Sequence, residues 1–218
     1  GLVTEPVYAY LIRKRLYGAR PEFTWLRKEA YAMLSPKRVP HVAGCEQEAV
    51  KLAGRWGADE DAAREAGILH DITKKETLEE QLRLCVKYGI MLDNVEKNEA
   101  KLLHSKTGAA VARDLFGVSD EVCGAIFWHT TGRRDMTLLE KIIYMADYIE
   151  PTRHFNGVDA LRALAYEDLD RAMILGYEMS IQDMAARGIT PHDRTREALD
   201  WAREELAKRG DPRNGDKT

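Results

Sequence analysis

Four of the six histidines in this 218-residue chain form an ordered set with two aspartates: His41, His70-Asp71, His104, His129 and Asp147. Each alone has an ordinary reading, because a lone histidine near an apolar face is usually a satisfied core or surface residue and an aspartate past a helix is usually solvated. Together they offer four imidazole nitrogens and two carboxylates, a donor set that suits Fe, Mn, Zn, Ni or Co, and the lack of a CxxC pair argues against a structural zinc finger. The adjacent His70-Asp71 pair closes the apolar run AGILHD, and its carboxylate has two oxygens with which to bridge two cations. Two cations about 3.5–4 Å apart would clamp both the attacking and the leaving oxygens of a phosphoryl group. The spacing excludes a single-helix motif such as HExxH, so the ligands must converge from four or five helices.

Those helices are legible. Apolar positions recur at i, i+3/4 and i+7 and the breaks between segments read as caps, which predicts an all-α fold. Helices are expected over 46–56 before Gly57, from about Glu60 to His70-Asp71, over 76–89, and from Asn98 to Phe116 before Gly117. Ser119 opens a helix that reaches His129, and Thr137 with Glu140 forms a capping box for a helix ending before Pro151. Two further helices span 168–187 and 191–208, and the polar tail, 209–218, is expected to fray.

Composition bounds the function. With 44% hydrophobic and 32% charged residues, 16 Gly and 7 Pro, the chain is neither disordered nor collagen-like. Lys and Arg number 33 against 36 acids, so no global basic footprint is available for a long nucleic acid. No apolar run approaches the roughly 20 residues needed to cross a bilayer. Three scattered cysteines, Cys45, Cys85 and Cys123, suit a reducing compartment, and a cytoplasmic protein is expected.

The order H…HD…H…H…D, with HDITK at 70–74, resembles the HD-domain metal-dependent phosphohydrolases. The segments LLHSKTGAAVARDLFG (102–117) and AIFWHTTGRRDMTLLEKIIYMADYIEPTR (125–153) are similar to the YqeK-type symmetrical diadenosine tetraphosphate hydrolases. The resemblance covers roughly residues 36–190. It implies an HD-domain helical bundle over 36–208, two divalent metal ions, iron foremost with Mn or another transition metal as alternatives, and cleavage of diadenosine tetraphosphate into two ADP. Residues 3–17, VTEPVYAYLIRKRLY, resemble the C-terminal tail of nicotinate mononucleotide adenylyltransferases, so the segment 1–35 reads as the end or remnant of a fused enzyme or as an amphipathic helix packed on the main domain.

On the matching positions the resemblance implies that His41, His70, Asp71 and Asp147 bind one metal, while Asp71 bridges to a second held by His104 and His129. Lys74, at i+3 from Asp71, would direct its ammonium at phosphate oxygens. Thr130, Thr131 and Gly132 would offer hydroxyl and backbone donors, Arg133 paired hydrogen bonds to a phosphate, and Arg153 a second cation. His154 and His192 read as non-ligands, Asp135 and Asp193 as turn or cap residues, and Trp128 and Tyr148 as wall or core. The implied mechanism is attack of a metal-bridging hydroxide on a central phosphorus, with Asp71 and Lys74 in the catalytic set and a dinucleoside polyphosphate as partner; a homodimer is compatible. Rival readings are an HD hydrolase of another nucleotide, a di-iron oxygenase and a non-catalytic nucleotide-sensing module.

Overall fold

Side-chain caps set where the helices of this protein begin. The computed structural model describes residues 3–209, which form eleven α-helices with no strand among the described residues. They are α1 (Glu5–Arg13), α2 (Phe23–Ala32), α3 (Val39–Trp56), α4 (Glu60–Leu69), α5 (Leu78–Tyr88), α6 (Ala100–Phe116), α7 (Asp120–Trp128), α8 (Leu138–Ile149), α9 (Val158–Glu167), α10 (Leu169–Ala186) and α11 (Asp193–Arg209). The all-α expectation holds. Thr137 and Glu140 form the expected reciprocal capping box on α8, and Thr77 with Glu80 forms a second one on α5.

Several boundaries differ from the sequence reading, each for a local reason. α3 starts seven residues before Glu46, at Val39, because Pro40 at its start fixes a helical φ and lacks only an N–H that would go unpaired there. His41 therefore lies in a first helical turn. α6 is capped by Glu99, which accepts from the Lys101 amide at 3.2 Å, rather than by Asn98. α9 was not anticipated: Asp168 ends it and caps α10, where its side chain accepts from the Arg171 amide, so two helices abut with no loop to mark them. The tail expected over 209–218 lies, beyond Arg209, outside the described residues.

The core is built from α3, α4, α6, α7 and α8 with α10 behind them, and its fully buried side chains include Leu52, Ile68, Leu69, Ile126, Leu139, Ile142 and Ile143. The N-terminal segment joins this core. Leu26 and Ala30 of α2 are fully buried within it, and Ile12 of α1 is buried beside α6, where Arg13 pairs with Asp114 and Arg15 donates from Nε to the Gly117 carbonyl at 2.7 Å. Two close helix approaches need the absence of a side chain. A Cβ on Gly67 of α4 would lie 2.9 Å from the Glu46 Cα of α3, and one on Gly44 of α3 would run into the Glu150 carboxylate. Small residues here let α4 and the end of α8 press against α3, bringing His41, His70 and Asp147 together.

Candidate metal centre

The six residues singled out by type and order converge. His41 comes from the first turn of α3, His70 and Asp71 from the turn that ends α4, His104 from the second turn of α6, His129 from the end of α7 and Asp147 from the last turn of α8. All but Asp147 are at least nine-tenths buried, and Asp71 is wholly so. Asp71 stands between two histidine pairs. Its Oδ1 lies 3.2 Å from His104 Nε2 and 3.7 Å from His129 Nε2, while its Oδ2 lies 3.4 Å from His70 Nε2 and 3.8 Å from His41 Nε2. Asp147 Oδ1 lies 3.0 Å from His41 Nε2 and 4.0 Å from His70 Nε2.

Partners behind the rings orient the lone pairs. His70 donates from Nδ1 to the Gly67 carbonyl at 2.8 Å, His129 from Nδ1 to the Ile126 carbonyl at 2.7 Å, and His41 from Nδ1 to Glu150 at 3.0 Å. In the neutral rings this leaves each Nε2 lone pair directed inward, the tautomer expected of metal ligands. The Nε2 atoms of His104 and His129 are then 3.0 Å apart and those of His41 and His70 3.4 Å apart. Asp71 Oδ1 is buried with no hydrogen-bond partner. Converging lone pairs and an orphaned buried carboxylate oxygen call for positive charge, and the donor set fits divalent transition metals.

The electrostatics differ from ring to ring: burial would lower His70, but Cys45 and Asp71 beside it outweigh burial and hold it well above the usual imidazole range. Burial would raise the Asp71 carboxyl, but the His70, His104 and His129 rings beside it outweigh burial and hold it well below the usual carboxylate range. Burial, then the nearby Lys74 ammonium, pulls His104 down to about 3, so this ring is neutral. Three cations ring the centre. Lys74 donates from Nζ to His104 Nε2 at 2.9 Å and lies 3.9 Å from Asp71 Oδ1. Arg153 donates from Nη2 to Asp147 Oδ1 at 2.7 Å and from Nε to the Asp147 carbonyl at 2.9 Å. Arg38, in a 3-10 turn just before α3, donates from Nε to Asp71 Oδ2 at 2.5 Å.

Sequence reasoning missed Arg38 and Glu150. The only signal for either was proximity to a ligand, since Arg38 precedes His41 by one helical turn and Glu150 follows Asp147 by three residues. The HTTGR segment is placed differently from expectation. Thr130 Oγ1 reaches His104 Nε2 at 3.3 Å, but Thr131 donates to the Gly132 carbonyl and Arg133 makes its paired hydrogen bonds to Glu140, at 3.0 and 3.1 Å, instead of facing the ligands. Gly132, read as a flexible donor, is a packing residue: its φ is +67° and a Cβ would collide with the Tyr177 hydroxyl. His192 groups with Asp93 and Glu96, yet Glu96 already pairs with Lys106 and Arg194, each at 2.6 Å, so its charge is met without a metal.

An all-helical scaffold that focuses histidines from four elements on one bridging aspartate defines a metal-binding protein of the histidine-aspartate class. Residues 38–152 match the HD domain family, and the chain belongs to it. It is 42% identical over 153 residues to the symmetrical bis(5'-nucleosyl)-tetraphosphatase of Bacillus subtilis (strain 168), covering 68% of this chain and 82% of that protein. A second relative with the same name, from Staphylococcus aureus (strain NCTC 8325 / PS 47), is 33% identical over 178 residues, covering 80% and 91%. A crystal structure from Clostridium acetobutylicum, described as a predicted HD superfamily hydrolase involved in NAD metabolism, superposes with a TM-score of 0.82 at 37% identity, covering 86% of this chain and all of that one.

Proposed function

We propose that this protein hydrolyses diadenosine tetraphosphate symmetrically, giving two ADP. The observation that carries the reading is the placement of Asp71, one oxygen toward each histidine pair, with cations on both sides of it. The relatives' names supply the substrate class, and the geometry is what that chemistry needs.

His41, His70, Asp71 and Asp147 would hold one divalent ion and Asp71, His104 and His129 a second, with iron, manganese or another first-row ion suited to the donors. Bound there, two such ions would supply Lewis acidity toward a water and the phosphoryl oxygens. The chain's own residues do the rest. Asp71 fixes the spacing of the two halves, and the backbone carbonyls behind His70 and His129 with the Glu150 carboxylate behind His41 prevent the rings from turning. Lys74 stands on the His104 side, while Arg38 and Arg153 stand on the Asp147 side. A polyphosphate drawn to both groups of cations is centred on Asp71, which favours reaction at the middle of the chain over its ends. Lys74 is depressed by burial yet beside two carboxylates, so it stays a compact donor able to stabilise charge on a departing phosphate.

Arg133 is held by Glu140 as a brace for the α8 capping box, so the phosphate contacts fall to Lys74, Arg38 and Arg153, with Thr130 beside His104 as a hydroxyl donor. Among the described residues no helix is long and apolar enough to cross a membrane. The three cysteines are free thiols, which suits a reducing compartment.

The test is nucleotide chromatography after incubating metal-loaded protein with diadenosine tetraphosphate. ADP as the sole nucleotide product is expected. ATP with AMP, or intact substrate beside cleavage of another phosphoester, would overturn the reading.

A further inference from the structure

Behind the contact between Asp71 and His104 lies a closed cycle of three uncharged side chains from three elements. Thr73 sits in the turn that carries Asp71 and Lys74, Thr107 on α6 one helical turn past His104, and Gln81 on α5, and all three are almost wholly buried. Gln81 donates from Nε2 to the Thr73 carbonyl at 2.6 Å, and the Thr107 hydroxyl donates to Gln81 Oε1. Each hydroxyl has one proton. With that of Thr107 on Gln81, that of Thr73 is shared between Thr107 Oγ1 and the His104 carbonyl, each at 2.9 Å. The turn seats on α6 at Gly108, where an added Cβ would already touch the His70 carbonyl and the Thr73 hydroxyl, each at 3.4 Å.

His104 is the ligand that needs such a link. His41, His70 and His129 each have a carboxylate or a backbone carbonyl behind Nδ1. Among the described residues His104 has neither, and the polar contact of its Nδ1 is the Lys74 ammonium at 3.4 Å. Its imidazole is therefore placed through its own backbone, and the cycle closes on that backbone at the His104 carbonyl.

We propose that Thr73, Thr107 and Gln81 are positioning residues for one half of the metal centre: they lock the turn 70–75 to α6, so that Asp71 Oδ1 and His104 Nε2, 3.2 Å apart, face one ion together. Adhesion alone would not select these side chains. Valine has nearly the shape of threonine and would fill the same space with no polar group to desolvate, whereas a fully satisfied buried network fixes one arrangement of the parts it joins. On the other half, Glu150 orients His41. The inference rests on the two-ion reading above and adds the residues that hold one side of it.

The test competes manganese-loaded protein with a chelator and reads the loss of each ion; it needs no substrate. Wild type is expected to release two ions in two steps. Thr73→Val removes the hydroxyl that reaches the His104 carbonyl and leaves Gln81 bonded to Thr107. It should weaken one step by about 10-fold and leave the other within about two-fold. Thr73→Ser, which restores the hydroxyl, should return both steps to wild-type values, and the step weakened in Thr73→Val should differ from the one weakened in Glu150→Gln. Thr107→Val, which opens the cycle from the α6 side, should repeat the pattern and takes over if Thr73→Val does not fold. Equal weakening of both steps, unchanged binding, or the same loss in Thr73→Ser as in Thr73→Val overturns the proposal. A single step in wild-type protein overturns it together with the two-ion reading, whereas uncut diadenosine tetraphosphate beside the expected pattern discards the substrate alone.

Discussion

Arg38 donates to the same Asp71 carboxylate that stands between both histidine pairs, with Nε 2.5 Å from Oδ2. Asp71 is fully buried, whereas the Arg38 side chain is a quarter exposed. The carboxylate between the two histidine pairs thus has its own counter-ion, and on the proposed reading Arg38 would be free to meet a phosphate once cations engage Asp71.

Removing that counter-ion should matter most without metal. Truncating one partner of a buried pair typically costs about 3–5 kcal/mol, because the other charge is left uncompensated. Divalent ions supply the missing charge. The melting temperature of Arg38→Gln should fall by roughly 6–20 °C relative to wild type in chelator and by much less in metal-loaded protein. Equal decrements in the two conditions would show that Arg38 does not serve Asp71.

Glu150 is fully buried and accepts from His41 Nδ1, from the Thr152 amide at 2.6 Å and from the Thr152 hydroxyl at 2.5 Å. Glu150→Gln keeps the shape but loses the charge that fixes the His41 tautomer. Metal affinity measured by chelator competition should drop about 10- to 100-fold, while every direct ligand remains in place. Unchanged affinity would remove Glu150 from the site.

Glu96 gives a stability limb in acid. Burial alone would raise its carboxyl, but Lys106, the Asp93 amide and Arg194 outweigh burial and hold it below the usual range, with His192 and Asp93 as its other titratable neighbours. A carboxyl depressed in the folded state contributes stability that is present above its unfolded pKa, about 4.3, and is lost as pH falls through the folded value. The melting-temperature difference between wild type and Glu96→Gln should be full at pH 6–7 and shrink steadily below about pH 4. A difference that grows in acid would contradict the sign.

Gly132→Ala should destabilise the fold. The new Cβ would both occupy a left-handed backbone position and strike Tyr177, which is almost fully buried. Overpacking of this kind costs about 1–3 kcal/mol, with backbone strain adding to it. Urea denaturation reads the loss directly, and a variant as stable as wild type would return Gly132 to the role of a flexible donor.

What the sequence determined by itself was chemistry and local structure. Imidazole and carboxylate donors carry their metal preference wherever they stand, so His41, His70, Asp71, His104, His129 and Asp147 could be named from type and order. Caps such as Ser119 and the Thr137–Glu140 box act within three residues, so they too were readable. Even locally, two helices meeting at one shared cap, Asp168, hid α9, because the only loop signal was missing.

Only the tertiary structure decided who stands behind the ligands. Glu150 meets His41 across 109 residues and Arg38 meets Asp71 across 33, distances at which periodicity and capping carry no information. The same packing took Arg133 from the expected phosphate and gave it to Glu140, since a guanidinium bonds to whichever carboxylate the fold delivers first. Donor identity is a property of a side chain. Its partner is a property of where α3, α4 and α8 are allowed to touch, and Gly44 and Gly67 set that by leaving room for the contact.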